Sequence, residues 1–105
     1  MICFLSARRL RPGSYEEFRR AWEPERWPSQ AIRAYHLRHA DDENVVVSFG
    51  LYEGGLADRE RIRDGHGDDT ARLKQIAEHV EETLVEGAFE VREEVEPSSA
   101  RGGGS

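Results

Sequence analysis

Apolar residues alternate with polar ones in some stretches of the chain and recur at helical spacing in others. Residues 2–10, ICFLSARRL, set Ile2 and Phe4 against Cys3, Leu5 and Ala7. Apolar groups on both faces predict a strand. Pro12-Gly13 is a turn signal. In SYEEFRRAW, Tyr15, Phe18 and Trp22 share one helical stripe. Ser14 and Glu17 fit an S-x-x-E capping box, and Pro24 disfavours helix at Glu23, so a first helix should end there. Residues 24–30 predict an irregular connection carrying Trp27. Residues 31–39 and 45–52 predict two more strands around the polar loop ADDEN, the second rich in β-branched and aromatic residues.

Gly54-Gly55 breaks the chain again. A short helix is expected over 56–64, with Leu56 and Ile62 apolar and Gly65 at a left-handed C′ position. Asp68, Asp69 or Thr70 can cap a longer helix over 70–86, whose face carries Leu73, Ala77, Val80 and Leu84 beside Ile76. Gly87 would stop it. Residues 88–95, with Phe89, Val91 and Val95 alternating with charges, predict the last strand. PSSARGGGS has nothing to bury and is expected to be disordered. The reading is one domain over 1–96 with a tail over 97–105.

The order β-α-β-β-α-α-β is a ferredoxin-like α+β plan with a four-stranded antiparallel sheet covered by helices on one face. Strand three nevertheless carries Val45, Val47, Phe49 and Leu51 on one side and Val46 and Tyr52 on the other. A second apolar face needs a second cover, and a second copy of the chain is the simplest one, so a homodimer is expected.

Composition narrows the function classes. The 105 residues are enough for one core, and 34% are charged, with a net charge of −6. No clustered positive charge offers a nucleic-acid surface. A single cysteine, Cys3, excludes an intramolecular disulfide and a multi-thiolate zinc site. No apolar run is long enough for a membrane span, and the N-terminal stretch does not fit a secretory leader. A cytoplasmic protein without membrane contact is expected.

The element order, the length, and VVVSFGLYEG followed by a helix and then a histidine before the last long helix resemble the antibiotic biosynthesis monooxygenase (ABM) type of dimeric α/β barrel. The resemblance covers about residues 1–96. It implies a homodimer with a pocket between sheet and helices in each subunit. Members include cofactor-independent oxygenases of aromatic polyketides and haem-degrading enzymes. In the haem-degrading branch a tryptophan stands ten residues before the histidine and an asparagine lies on strand one. Those positions are Leu56 and either Ser6 or Ala7 here, so no haem is expected.

His66, between Gly65 and Gly67 at the elbow of two helices, is the expected catalytic residue. With a pKa near neutrality it can accept a phenolic proton. The alternative is a solvent-exposed turn histidine. Trp22, Trp27, Tyr35 and His36 are the expected substrate-binding residues. Trp22 also fits the core stripe, and Trp27 also fits a cap on the core or a contact with a partner subunit. His36 and His39 resemble a ligand pair but point to opposite sides of a strand, so no metal site is expected. The function expected is a cofactor-free monooxygenase acting on a small aromatic or polyketide-like molecule. The rival is a non-catalytic binding or structural dimer of the same fold.

Overall fold

A computed structural model of the chain describes residues 1–100. Strand β1 (Ile2–Leu10) leads to helix α1 (Tyr15–Trp22), then to β2 (Ala31–Arg38) and β3 (Val45–Tyr52). A 3-10 turn, Leu56–Asp58, runs into α2 (Arg59–Asp64). Helix α3 (Thr70–Glu78) and strand β4 (Val80–Glu90) follow, then a single helical turn α4 (Pro97–Ala100). The disordered tail expected over 97–105 falls partly on that turn, and 101–105 lie outside the described residues. The sheet is four-stranded in the order β2-β3-β1-β4, with every neighbour antiparallel. This is the expected ferredoxin-like α+β architecture.

The last third of the chain differs from the sequence reading. Helix α3 ends at Glu78, not at residue 86, and β4 begins at Val80, not at residue 88. Strand β1 lies inside the sheet and needs a partner on each edge. A strand starting at residue 88 would leave most of one edge of β1 unpaired, at the full cost of buried amides and carbonyls without partners. Instead β4 runs the length of β1, from Leu10↔Val80 to Ile2↔Glu90. Register shifts at Ala7/Arg8 and Arg9/Leu10 interrupt the alternation along β4, and Val80 and Leu84, four residues apart, fit a helical spacing as well. Gly87 is a mid-strand residue opposite Leu5. Val91 donates its N–H to the Met1 carbonyl, and 92–96 continue without regular structure.

Two local expectations also fail. Ser14 makes no side-chain capping bond; its carbonyl accepts from Phe18 instead. Gly65 has φ −64°, an ordinary helical value, and the left-handed residue is Gly67 at φ 91°.

Helices and sheet bury two separate clusters. Leu10, Phe18, Val46 and Ile76 form one, flanked by Trp22 and Val80. Ile2, Tyr52 and Ile62 form the other, flanked by Phe4, Ala31 and Ala88. Between them the helix-facing positions of β1 and β3 are Ser6, Arg8, Ser48 and Gly50. The middle of the sheet is therefore small or polar, and the apolar packing is divided in two.

Candidate functional site

The gap between the two clusters is a cavity of about 310 Å³. Ser6, Arg8, Ser48 and Gly50 line it from the sheet, and Phe4, Tyr52 and His66 from the end nearer Ile62. Trp22, Arg72 and Ile76 line it from the α1–α3 side, and the exposed residues Arg63 and Glu86 mark its open side.

His66 is only 8% exposed, so the solvent-exposed turn reading does not hold. Its Nε2 lies 2.7 Å from the Tyr52 hydroxyl. Its Nδ1 is 3.4 Å from the Arg63 carbonyl, which can only accept. This arrangement puts the proton of a neutral ring on Nδ1 and makes Nε2 the acceptor of the Tyr52 O–H. Burial lowers the His66 pKa, while the Arg63 carbonyl works in the opposite direction. Burial also raises Tyr52 to about 12. Both groups are thus neutral near pH 7. Tyr52 lies back over Gly50, where a Cβ would come within 2.9 Å of its ring and hydroxyl, and meets Phe4 edge-on at 5.3 Å.

The elbow is shaped by the segment that follows α1. The Arg26 N–H bonds the His66 carbonyl at 3.4 Å. A Cβ on Gly65 would meet Pro28 at 2.6 Å, and one on Gly67 would meet the Glu25 carboxylate at 2.7 Å. The flanking glycines let this segment press against the turn, and Gly67 also supplies the left-handed backbone. Trp27 stands beside His66, with ring centroids 5.7 Å apart, and also 5.8 Å from Trp22. Its Nε1 donates to Glu23.

Of the residues singled out in the sequence, His66 and Trp22 line the cavity. Trp27 supports both from outside it. His36 lies in the neighbouring aromatic cluster, 4.4 Å from the Trp22 ring, with its Nδ1 2.7 Å from the Ser48 hydroxyl. Burial pushes its pKa down to about 4. Tyr35 is not part of this assembly: it pairs with Phe49 on the opposite face of the sheet, rings 5.2 Å apart. Alternation along β2 forces that separation from His36. His39 lies past the end of β2 and accepts the Asp41 N–H.

Tyr52 and Arg8 are among the cavity residues that were not singled out beforehand. Tyr52 is fourteen residues from His66, and nothing in the sequence brings them together. Arg8 is 6% exposed on β1, in phase with Ile2, Phe4 and Ser6. A charge in the inward phase of a strand is a readable signal, obscured here by the adjacent Arg9 and Arg11. Among the described residues no group of three or more His, Cys, Asp or Glu side chains is arranged to hold a metal. No described helix is long and apolar enough to cross a membrane.

No family model matches the sequence, and no curated protein does. Solved structures do match in shape. A candidate antibiotic biosynthesis monooxygenase from Chloroflexus aurantiacus J-10-fl superposes with a TM-score of 0.65 at 5% identity, over 90% of this chain and 96% of that one. The fold is of the ABM type. A conserved protein from Methanosarcina mazei Go1 gives a TM-score of 0.61 at 11% identity, over 85% of this chain and 90% of that one. At these identities the likeness to both structures concerns the fold alone.

Proposed function

We propose that this ABM-type chain is a cofactor-independent monooxygenase acting on a small aromatic or polyketide-like substrate. The observation that carries the reading is the Tyr52–His66 hydrogen bond at the wall of a 310 Å³ cavity. A substrate phenol or enol beside Tyr52 gives its proton to the Tyr52 oxygen as the Tyr52 proton passes to His66 Nε2. The tyrosine ends neutral and the histidine protonated, so no tyrosinate has to persist in a site where burial opposes it. The substrate anion supplies the electrons to O₂, and the cavity shields the intermediate from water.

The second part of the proposal is a homodimer through the helix-free face. Tyr35, Leu37, Val85 and Phe89 are 40–47% exposed there, beside half-buried Leu5, Val47, Phe49 and Leu51. An apolar surface this continuous is unusual on a monomer.

The test screens anthrones, quinols and flavonoid-like compounds for binding by thermal shift, then follows O₂ uptake with each binder. Wild type should consume O₂. His66→Ala and Tyr52→Phe should fold and lose roughly a hundredfold or more in rate. Binding without O₂ uptake in wild type would leave a non-catalytic binding protein.

A further inference from the structure

Arg8 is the one fully enclosed cation at the cavity and has no part in the proton relay. Its neighbours do not satisfy it. Nη1 is buried and has no hydrogen-bond partner among the described residues. Among the described residues, no ion pair within 4.0 Å involves it. Its guanidinium lies over the Phe18 ring at 5.5 Å, a contact that occupies a face and leaves the N–H edge free. The opposing charge that acts on it, Glu86, is an exposed residue lining the same cavity. A second cation, Arg72, also lines the cavity, but it is already held in an ion pair and two hydrogen bonds: Nε donates to the Trp22 carbonyl at 2.7 Å and Nη1 to Asp69 at 3.0 Å. Burying an arginine and leaving a donor unpaired is costly, and native proteins rarely do it.

We infer that Arg8 is an anion subsite and that the substrate is an aromatic acid, a planar phenol or enol whose carboxylate binds the Arg8 guanidinium while its hydroxyl reaches Tyr52. A carboxylate matches the planar fork of a guanidinium through two parallel N–H···O bonds, which an amide or hydroxyl does not reproduce. Phe4 and Trp22 add aromatic surface to the same cavity. The inference rests on the cavity reading proposed above and specifies what enters. Glu86 sets its selectivity: a dianion is disfavoured, and a single carboxylate is accepted with some repulsion.

The test uses two probes of one shape, 6-hydroxy-2-naphthoate and its neutral carboxamide, titrated calorimetrically into the full chain at pH 7.5 and low salt. Wild type should bind the carboxylate at least tenfold more tightly than the amide. Arg8→Gln should abolish the preference while leaving amide affinity within about twofold. Arg8→Lys, which keeps the charge without the fork, should fall between. Glu86→Gln should strengthen carboxylate binding two- to threefold and leave the amide unchanged. If Arg8→Gln fails to fold, the wild-type, Arg8→Lys and Glu86→Gln titrations decide. Equal affinity of wild type for both probes, or no binding of either at 1 mM, overturns the inference. Oxygen uptake separates this from the proposed reaction. A carboxylate preference without oxidation of any phenol keeps the subsite and removes the enzyme. Oxidation without the preference does the reverse.

Discussion

His36 offers a quantitative check on the packing around the cavity. Its ring sits edge-on to Trp22, Phe18 and Tyr15, and burial takes its pKa from 6.5 to about 4. Arg19 and Arg8 push the same way, and Glu23 opposes them. The folded chain therefore holds this ring neutral over a pH range in which the unfolded chain binds a proton. Stability is complete above pH 6.5, falls as the pH drops toward 4, and stops falling below that. One proton is worth about 1.4 kcal/mol per pH unit, so between pH 6.5 and 5 a fully dry ring would lose about 2 kcal/mol. Partial solvent contact reduces this to about 1 kcal/mol. His66 adds a loss in the same direction, since its pKa is also lowered. Carboxylates such as Asp42 and Asp68, held below their usual range, act mostly at lower pH and leave this window to the histidines. Urea unfolding at pH 7, 6 and 5, at one protein concentration, should show wild type losing about 1 kcal/mol more than His36→Gln. An NMR titration of the ring proton should give a midpoint well below 6.5. A midpoint at 6.5 or above, or parallel losses in the two proteins, would refute the argument.

Gly50→Ala should cost about 1–3 kcal/mol and displace Tyr52 from His66, because the new methyl would overlap the Tyr52 ring; chemical denaturation and a crystal structure would check both. Val47→Glu, on the helix-free face, should convert a dimer seen by analytical ultracentrifugation at micromolar concentration into a monomer or an aggregate, and a wild-type monomer would remove the dimer proposal. Treatment with a strong chelator should leave the melting temperature unchanged; a drop restored by a divalent ion would point to a metal site at Asp68 or Asp69 with His66.

Where the chain obeyed one periodicity, the sequence was readable. β3 alternates in burial along its whole length, β1 is apolar on both faces up to the Pro12-Gly13 turn, α1 carries one apolar stripe, and Pro24 marks its end, so their bounds follow directly. β4 carries two periods at once. Val80 and Leu84 are four apart, and register shifts opposite Ala7–Leu10 remove the alternation that would have marked a strand. Only the need of β1 for a second partner decides the matter, and that need is a property of the assembled sheet. The site was legible to the same degree. Two glycines around His66 signalled a special turn, although their purpose is to admit Glu25 and Pro28. Tyr52 and Arg8 take their importance from what the fold sets beside them. Tyr35 and His36, adjacent on one strand, could never both reach the cavity.

The small and polar middle of the sheet also sets how the domain can change. Ser6 and Ser48 are opposite each other on adjacent strands, between an apolar cluster at either end. Replacing Ser6 with valine would bridge the clusters and fill space that is now open, whereas the Ser48 hydroxyl is the partner of His36 Nδ1 and its loss would leave that ring unpaired. A domain of this size has few other places to gain packing, so selection for stability alone would drive Ser6 toward an aliphatic residue and narrow the cavity. Heat resistance and an open site therefore compete at Ser6. Variants selected only for higher melting temperature should change at Ser6 first and keep Ser48.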